Sequence, residues 1–228
     1  MNKRKCILTA QNICKSYQQG KEILHVLQDA NLEIYANETI ALIGESGSGK
    51  TTFLQILGLL DNEYSGQVII NDKNYSSTSD YSRTICRRKN LGFIYQSHNL
   101  LSEFTAIENI TLPLLLNNLS RHLTQKIAIG LMQGLSIDHR RKHLPMQLSG
   151  GEQQRVAIAR SLVHNPSVVL ADEPTGNLDP NNAGIVFDLF VSFVRKYKTS
   201  ALVVTHNLEL AKKLDRIVTI KDGKVINL

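Results

Sequence analysis

The sequence of 228 residues has no apolar run that reaches the roughly 20 residues needed to cross a lipid bilayer. Its longest runs are short: "LPLLL" ends at Leu116, and "IVFDLFVSFV" is interrupted by Asp188 and Ser192. The basic opening "MNKRKCILTA" lacks the longer apolar core of a secretory signal. We therefore expect a chain that stays in the cytoplasm and does not span a membrane.

Cysteine is scarce, and the three residues, Cys6, Cys14 and Cys86, include no C-x-x-C pair. Because three cysteines cannot all pair with one another, the pattern suits a reducing compartment and argues against a thiolate zinc site. We interpret them as small core or surface residues.

The formal net charge is +6, which is compatible with nucleic acid, an acidic membrane surface or phosphorylated ligands. Two basic clusters contribute, "RTICRRKN" from Arg83 and "HRRKH" from His139. Neither is interleaved with aromatic residues, and no nucleic-acid motif is present. A solvated basic face is therefore favoured for both clusters, and no nucleic-acid partner is expected.

The order of apolar segments predicts an α/β fold in one domain. The opening to about Tyr35 has a β-rich, turn-punctuated pattern, and "TIALIG" is typical of a buried parallel strand. We predict a helix at 50–60, strands at 68–70 and 91–96, a mostly helical stretch at about 100–163, and a helix at about 181–197 between the strands "SVVLADE" and "SALVVTH". The chain closes with an apparent hairpin, "RIVTI" and "VINL".

A phosphate-binding motif follows the first buried strand. "GESGSGKT", residues 44–51, matches the P-loop pattern G-x-x-x-x-G-K-[ST] and precedes a predicted helix, as the mechanism requires. Backbone N–H groups and the helix N-terminus favour phosphates, Lys50 reaches the β and γ oxygens, and the Thr51 hydroxyl binds Mg²⁺. The predicted nucleotide-binding residues here are Gly44, Glu45, Ser46, Gly47, Ser48, Gly49, Lys50, Thr51 and Thr52.

Polar residues end three further strands. Asp172 and Glu173 end "VVLADE"; such a pair could merely cap a turn, but beside a P-loop it indicates a Mg²⁺ carboxylate and a residue that orients or deprotonates the attacking water. Gln96 and His206 are ambiguous alone. Each becomes a γ-phosphate or Mg²⁺ contact if its strand neighbours the P-loop strand.

The stretch "LSGGEQQR" has Ser149 and Glu152 at the spacing of a helical capping box. That box leaves Gly150 and Gly151 unexplained, because each glycine costs a helix about 1 kcal/mol relative to alanine. Another group is therefore expected to approach this backbone closely.

Taken in order, "GESGSGKT", "YQ", "LSGGEQQR", "VVLADEPTGNLD" and "VVTH" resemble the ATP-binding subunits of ABC transporters over nearly the whole chain. The resemblance implies a P-loop NTPase core with a mixed, largely parallel sheet, an N-terminal antiparallel β subdomain and an inserted helical subdomain. The core would comprise about 1–97 and 165–228, and the helical lobe about 98–164.

The same resemblance implies roles for individual residues. Tyr17 would stack on adenine, although a tyrosine here is more often plain core or surface. Gln96 would be the Q-loop glutamine that reaches Mg²⁺, and Asp179 and His206 the D-loop aspartate and the switch histidine. In a head-to-tail homodimer, Ser149, Gly150 and Gly151 would bind the γ-phosphate of ATP held by the other copy.

"GFIYQSHNLLSEFTAIENITLPLLL" and "LADEPTGNLD" are most similar to the family of lipoprotein-releasing ATPases, with macrolide- or peptide-exporter and cell-division types as alternatives. That resemblance implies an ATP-hydrolysing motor at the cytoplasmic face of the inner membrane, two integral-membrane permease subunits and a periplasmic lipoprotein carrier. Residues 97–104 would lie near a groove for a permease helix; equally, Leu100, Leu101 and Phe104 would be lobe core.

Two other classes of function are alternatives to a transport motor. Soluble ABC ATPases of ribosomes or DNA resemble tandem chains or chains with a long coiled-coil insert, and this sequence has one P-loop and no room for such an insert. An ATP-binding adaptor that regulates a membrane enzyme or a cell-wall hydrolase stays open, and copurification of a membrane partner distinguishes it from a motor.

Overall fold

The structure is a computed structural model that describes residues 4–20 and 22–228. The strands are β1 (Cys6–Gln19), β2 (Glu22–Tyr35), β3 (Thr39–Ile43), β4 (Ser65–Ile70), β5 (Lys73–Asn74), β6 (Leu91–Ile94), β7 (Val168–Asp172), β8 (Ser200–Val204), β9 (Arg216–Lys221) and β10 (Lys224–Asn227). The α-helices are α1 (Lys50–Leu57), α2 (Asp80–Asn90), α3 (Ala106–Leu116), α4 (Arg121–Gly134), α5 (Gly150–Leu162), α6 (Pro180–Lys196) and α7 (Leu208–Ala211). Two short 3₁₀ helices span Asp138–Arg140 and Pro145–Gln147.

The chain divides into two compact units. The first unit comprises Met1–Arg87 and Ser200–Leu228, and the second is Arg88–Thr199. Within the described residues, no helix is both long enough and apolar enough to cross a membrane.

The first unit contains an antiparallel sheet in the order β2-β1-β4-β5. Alternate residues of β1, Leu8 and Ala10, are buried, as one face of a strand that covers a core requires. The β-rich opening predicted from the sequence is this sheet.

The first unit also holds the strand that leads into the P-loop. β3 pairs in parallel with β8 on one side and with β9 on the other, and β10 pairs antiparallel with β9. All residues of β3 from Thr39 to Leu42 are buried, which explains its unbroken apolar run. The predicted closing hairpin is confirmed.

The second unit combines the parallel pair of β6 and β7 with helices α3 to α6. Its core includes the fully buried Phe187 and Phe190. The predicted capping box at the start of α3 is present, since the Glu108 carboxylate accepts hydrogen bonds from the backbone N–H and the hydroxyl of Thr105 at 2.8 and 2.6 Å.

Two local predictions were wrong. α1 ends at Leu57 rather than at residue 60, because Gly58 caps it and Leu59 takes a left-handed φ of 57°. The first basic cluster is also not simply a solvated face: Arg83 is only 9% exposed, and Arg87 donates a hydrogen bond to the Leu59 carbonyl at 2.6 Å.

The close approach of β6 to α5 depends on Gly92. A Cβ at this position would lie 2.3 Å from the backbone oxygen of Ser161 on α5. Gly92→Ala should therefore destabilise the protein by about 1–3 kcal/mol, because backbone must move to relieve the overlap. Thermal unfolding followed by circular dichroism measures this change.

Gly130→Ala is the matched control, since a Cβ at this helical position meets nothing within 4 Å. It should stabilise the protein by up to about 1 kcal/mol through helix propensity. Equal melting temperatures for the two variants would contradict the packing described for Gly92.

Candidate functional site

The P-loop turns sharply between β3 and α1. Gly49 precedes the helix with φ at 95°, and a Cβ there would lie 2.8 Å from Cγ1 of Val26, so only glycine fits without strain. Gly47, in contrast, has φ at 81° and nothing within 4 Å of a Cβ position. The loop is therefore closely packed at Gly49 and has open space at Gly47.

The loop curls around the ammonium group of Lys50. Its Nζ donates hydrogen bonds to the carbonyl oxygens of Gly44 and Glu45, at 2.9 and 2.6 Å. The first turn of α1 has no acidic residue and no side-chain cap, so its N–H groups keep their positive potential. This combination of an ammonium and uncapped amides suits polyphosphate.

His206 follows the strand next to the P-loop strand. β8 pairs directly with β3, with Leu42 opposite Val204. The segments that follow these two strands therefore begin side by side at the same edge of the sheet. From the sequence, a phosphate-contacting role for His206 depends on its strand neighbouring the P-loop strand. β8 is such a neighbour. The side chain itself is exposed.

Tyr17 is a half-exposed residue of β1 that lies beside α1. It is 41% exposed, and its hydroxyl lies 3.5 Å from Oγ1 of Thr52. The Lys15 ammonium sits 4.9 Å from the centre of its ring. Tyr17 is thus a surface aromatic beside the P-loop helix rather than a core residue.

In the second unit, Gln96 and the acidic pair share one sheet edge. β6 and β7 are parallel, with Ile94 opposite Ala171, so Gln96 follows one strand where Asp172 ends the other. The strand that precedes Gln96 pairs with β7 and not with the P-loop strand, so the condition stated for Gln96 from the sequence is not met. Glu173 has a left-handed φ of 46°, a strained conformation of the kind that clusters at active sites.

Asn177 is a residue that the motifs did not single out. Its Nδ2 donates a hydrogen bond to the Gln96 carbonyl at 2.9 Å, and its Oδ1 lies 3.4 Å from Nε2 of Gln96. The segment between Glu173 and Asp179 is thereby tied to Gln96. The spacing of 81 residues gives no local pattern from which this pairing could be predicted.

The predicted capping box at the start of α5 is confirmed. Ser149 Oγ accepts a hydrogen bond from the Glu152 N–H at 3.3 Å, and Glu152 Oε2 accepts one from the Ser149 N–H at 2.8 Å. A Cβ at Gly151 would meet nothing within 4 Å, and one at Gly150 would only touch Leu178 at 3.4 Å. Nothing within the described chain requires glycine here.

A cavity of about 480 Å³ opens in front of this helix start. The predicted residues Ser149, Gly150, Gly151 and Asp179 all line it. Asp179 is held as the N-cap of α6, where its Oδ1 accepts a hydrogen bond from the Asn182 N–H at 3.1 Å. The further lining residues are Ser136, His139, Glu152, Arg155, Asn177, Leu178 and Asn182.

The second basic cluster supports the same helix start. Arg140 Nε donates a hydrogen bond to Glu152 Oε1 at 2.7 Å, so this residue is not simply part of a solvated face. The Ser149 backbone N–H, and after it Arg140, lower the pKa of the Glu152 carboxyl to about 2. The carboxylate therefore stabilises the fold above its ordinary pKa of about 4.5, and this contribution is lost as the pH falls toward 2.

A family model described as ABC transporter matches residues 27–176, which is more than half of the chain. The chain belongs to the ABC transporter family. The motifs from the P-loop to the acidic pair lie within the matched residues.

Relatives of this ABC protein cover nearly its whole length. It is 44% identical over 220 residues to the lipoprotein-releasing system ATP-binding protein LolD of Zymomonas mobilis, covering 96% of this chain and 95% of that one. It is 46% identical over 217 residues to LolD of Rickettsia bellii, covering 95% and 96%.

Solved structures confirm the fold expected of an ABC ATPase. The chain matches the ATP-binding cassette MJ0796 in a dimeric post-hydrolysis state bound to ADP and Pi, with a TM-score of 0.88 and 37% identity over 96% of each chain. A second dimeric structure of that cassette matches equally well.

Replacing Lys50 tests the phosphate-binding role of this ABC P-loop. Lys50→Ala removes the ammonium around which the loop curls, so ATP binding measured by isothermal titration calorimetry should be lost. Lys224→Ala, which removes an exposed lysine from β10, should bind ATP normally. Wild-type affinity in Lys50→Ala would contradict the assignment.

Proposed function

We propose that this chain is the ATP-hydrolysing motor of a lipoprotein-releasing ABC transporter. The observation that carries the proposal is the presence, in one chain, of a P-loop and of a separate cavity of about 480 Å³ lined by Ser149 and the glycine pair Gly150 and Gly151. The LolD relatives, at 44–46% identity over nearly the full length, support release of lipoproteins as the process that it drives.

The P-loop binds the phosphates of ATP. Lys50 exchanges its two carbonyl partners for the β and γ oxygens, and the amides at the start of α1 donate to the same phosphates. Tyr17 stacks on the adenine with its exposed ring. Glu45, Ser46 and Thr52 complete the lining of the phosphate and nucleoside subsite.

The donor set fits magnesium, which prefers oxygen ligands. The Thr51 hydroxyl, the Asp172 carboxylate and the Gln96 amide oxygen would hold it. When bound, the ion neutralises charge that develops on the β and γ phosphate oxygens.

Hydrolysis is carried by Glu173 and His206. Glu173 orients a water molecule and takes its proton while the water oxygen bonds to the γ-phosphorus. The bond from that phosphorus to the bridging oxygen breaks, and ADP and phosphate form. His206, at the edge beside the P-loop strand, donates a hydrogen bond to the γ-phosphate.

Two copies of the chain close on two ATP molecules. The Ser149 hydroxyl and the N–H groups of Gly150 and Gly151 bind the γ-phosphate of the nucleotide held by the other copy, and Asp179 lies at the same interface. Each copy uses the same surfaces on its partner, so the dimer is isologous with two composite sites. Closure with ATP and reopening after hydrolysis supply the mechanical stroke.

The stroke passes to two integral-membrane, Lol C/E-like permease subunits, which deliver lipoprotein to a periplasmic carrier. Their contact includes residues 97–104 at the cytoplasmic face of the inner membrane. Leu101 and Phe104 are 42% and 40% exposed, which disfavours lobe core for these two side chains. The buried Asn109 shapes their loop, as its amide bonds both Leu101 and Phe104 carbonyls at 3.1 and 2.9 Å.

Gly151→Val tests the surface between copies without disturbing the chain itself, because the added side chain has open space within the chain. We expect a normally folded protein that binds ATP as a monomer but loses ATP-dependent dimerisation and most ATPase activity. Analytical ultracentrifugation with and without ATP measures the dimer.

Gly130→Val is the matched control, since it adds the same side chain at another open helical glycine. It should dimerise and hydrolyse ATP like the wild type. Normal turnover in Gly151→Val would contradict the role of the glycine pair.

Reconstitution tests the transport function. The chain, copurified with its permease subunits and placed in proteoliposomes that hold a labelled mature lipoprotein, should release that lipoprotein to an added periplasmic carrier when ATP is present. Glu173→Gln should bind ATP but release almost none, because the attacking water loses its base.

Glu63→Gln, a change at a surface carboxylate that is 88% exposed, should release lipoprotein at the wild-type rate. Full release by Glu173→Gln would contradict the catalytic role. ATP hydrolysis by a complex that moves no lipoprotein would contradict the assigned process and leave the ATPase intact.

A further inference from the structure

The proposed phosphate-binding helix start carries a negative charge of its own. Glu152 is the third residue of α5 and lines the same cavity as Ser149 and the glycine pair. With a pKa of about 2, it is ionised at neutral pH. A carboxylate at this place repels a phosphate and offsets the helix dipole, which is equivalent to only about half a positive charge.

Arg140 faces this carboxylate. Its Nε lies 2.7 Å from Glu152 Oε1, and the two side chains are 37% and 19% exposed, so the pair is partly shielded from solvent. His139 Nε2 lies 3.7 Å from the same oxygen. The other oxygen of Glu152 accepts the Ser149 N–H, so both oxygens of the carboxylate are engaged.

Arg140 comes from outside the motif. It ends the 3₁₀ helix Asp138–Arg140, 12 residues before Glu152, and its Nη1 lies 3.3 Å from His143 Nε2. Among the described residues that line the cavity, Glu152 is present and Arg140 is not. Arg140 therefore acts on the cavity through Glu152 rather than by direct contact.

We propose that Arg140 is a positioning residue for ATP-dependent dimerisation: it compensates the charge of Glu152 and holds this carboxylate on the Ser149 N–H, so that α5 can receive a phosphate. The inference rests on the proposed function, in which that phosphate belongs to ATP bound by a second copy. Arg140, a member of the second basic cluster, would then belong to the site that receives the nucleotide of the other copy.

Removing each charge of the pair in turn, and then both together, distinguishes this role from simple packing. Arg140→Gln removes the charge and should weaken ATP-dependent dimerisation about tenfold, within the range of coupling between contacting residues. ATP affinity of the monomer should not change. Glu152→Gln, which removes the carboxylate, should dimerise at least as tightly as the wild type, and Arg140→Gln combined with Glu152→Gln should regain that level.

The readouts are ATP titration of the monomer and sedimentation equilibrium of the full chain at several ATP concentrations. The sedimentation runs use a Glu173→Gln background for every variant, since hydrolysis would otherwise consume the ATP and reopen the dimer. Lys142→Gln is the matched control, because it removes the same charge from an exposed position in the same cluster and should leave dimerisation unchanged. Arg140→Lys keeps the charge and should keep most of the dimer.

Wild-type dimerisation in Arg140→Gln, or a double variant as weak as Arg140→Gln, would overturn the proposal and leave Arg140 a packing residue. If Arg140→Gln does not fold, Glu152→Gln decides, since weaker dimerisation in that variant also overturns it. A chain with Glu173→Gln alone that stays monomeric with ATP contradicts the proposed dimer itself, and this result is seen before any Arg140 or Glu152 variant is compared.

Discussion

The proposed dimer depends on the start of α5, where a complete capping box lies beside Gly150 and Gly151. The hydrogen bonds between Ser149 and Glu152 hold the helix end, so the glycines are free of that task. Neither has a left-handed backbone, and a Cβ at Gly151 would meet nothing within 4 Å among the described residues. Gly150 and Gly151 destabilise the helix, and no contact within the described residues requires glycine there. A ligand that approaches this backbone from outside the chain explains their presence.

Charge balance is the second constraint on that helix end. Glu152 closes the capping box, but the same carboxylate opposes an anionic ligand. Arg140 resolves the conflict by contacting that carboxylate directly, with its Nε 2.7 Å from Glu152 Oε1. One side chain can then serve both the fold and a phosphate site, because its charge is compensated from a different segment of the chain.

Features with a local pattern could be predicted from the sequence, and long-range ones could not. The P-loop, the capping boxes and the polar residues at strand ends follow from spacing, and they lie where the spacing predicts. The hydrogen bond from Asn177 to Gln96 and the ion pair of Arg140 with Glu152 join separate segments. Neither could be predicted from the periodicity of the sequence. For the same reason Arg83 and Arg140 resembled a solvated face.

The most direct test of the central claim is a cross-link between two copies. The natural cysteines at 6, 14 and 86 are replaced, then Ser46→Cys is placed in one tagged chain and Ser149→Cys in another; both serines are exposed. If the helix start of one copy lies against ATP held by the other, an intermolecular disulfide should form when the two chains are mixed with ATP, and little should form without it. No disulfide with ATP, or an equal yield without nucleotide, would contradict it.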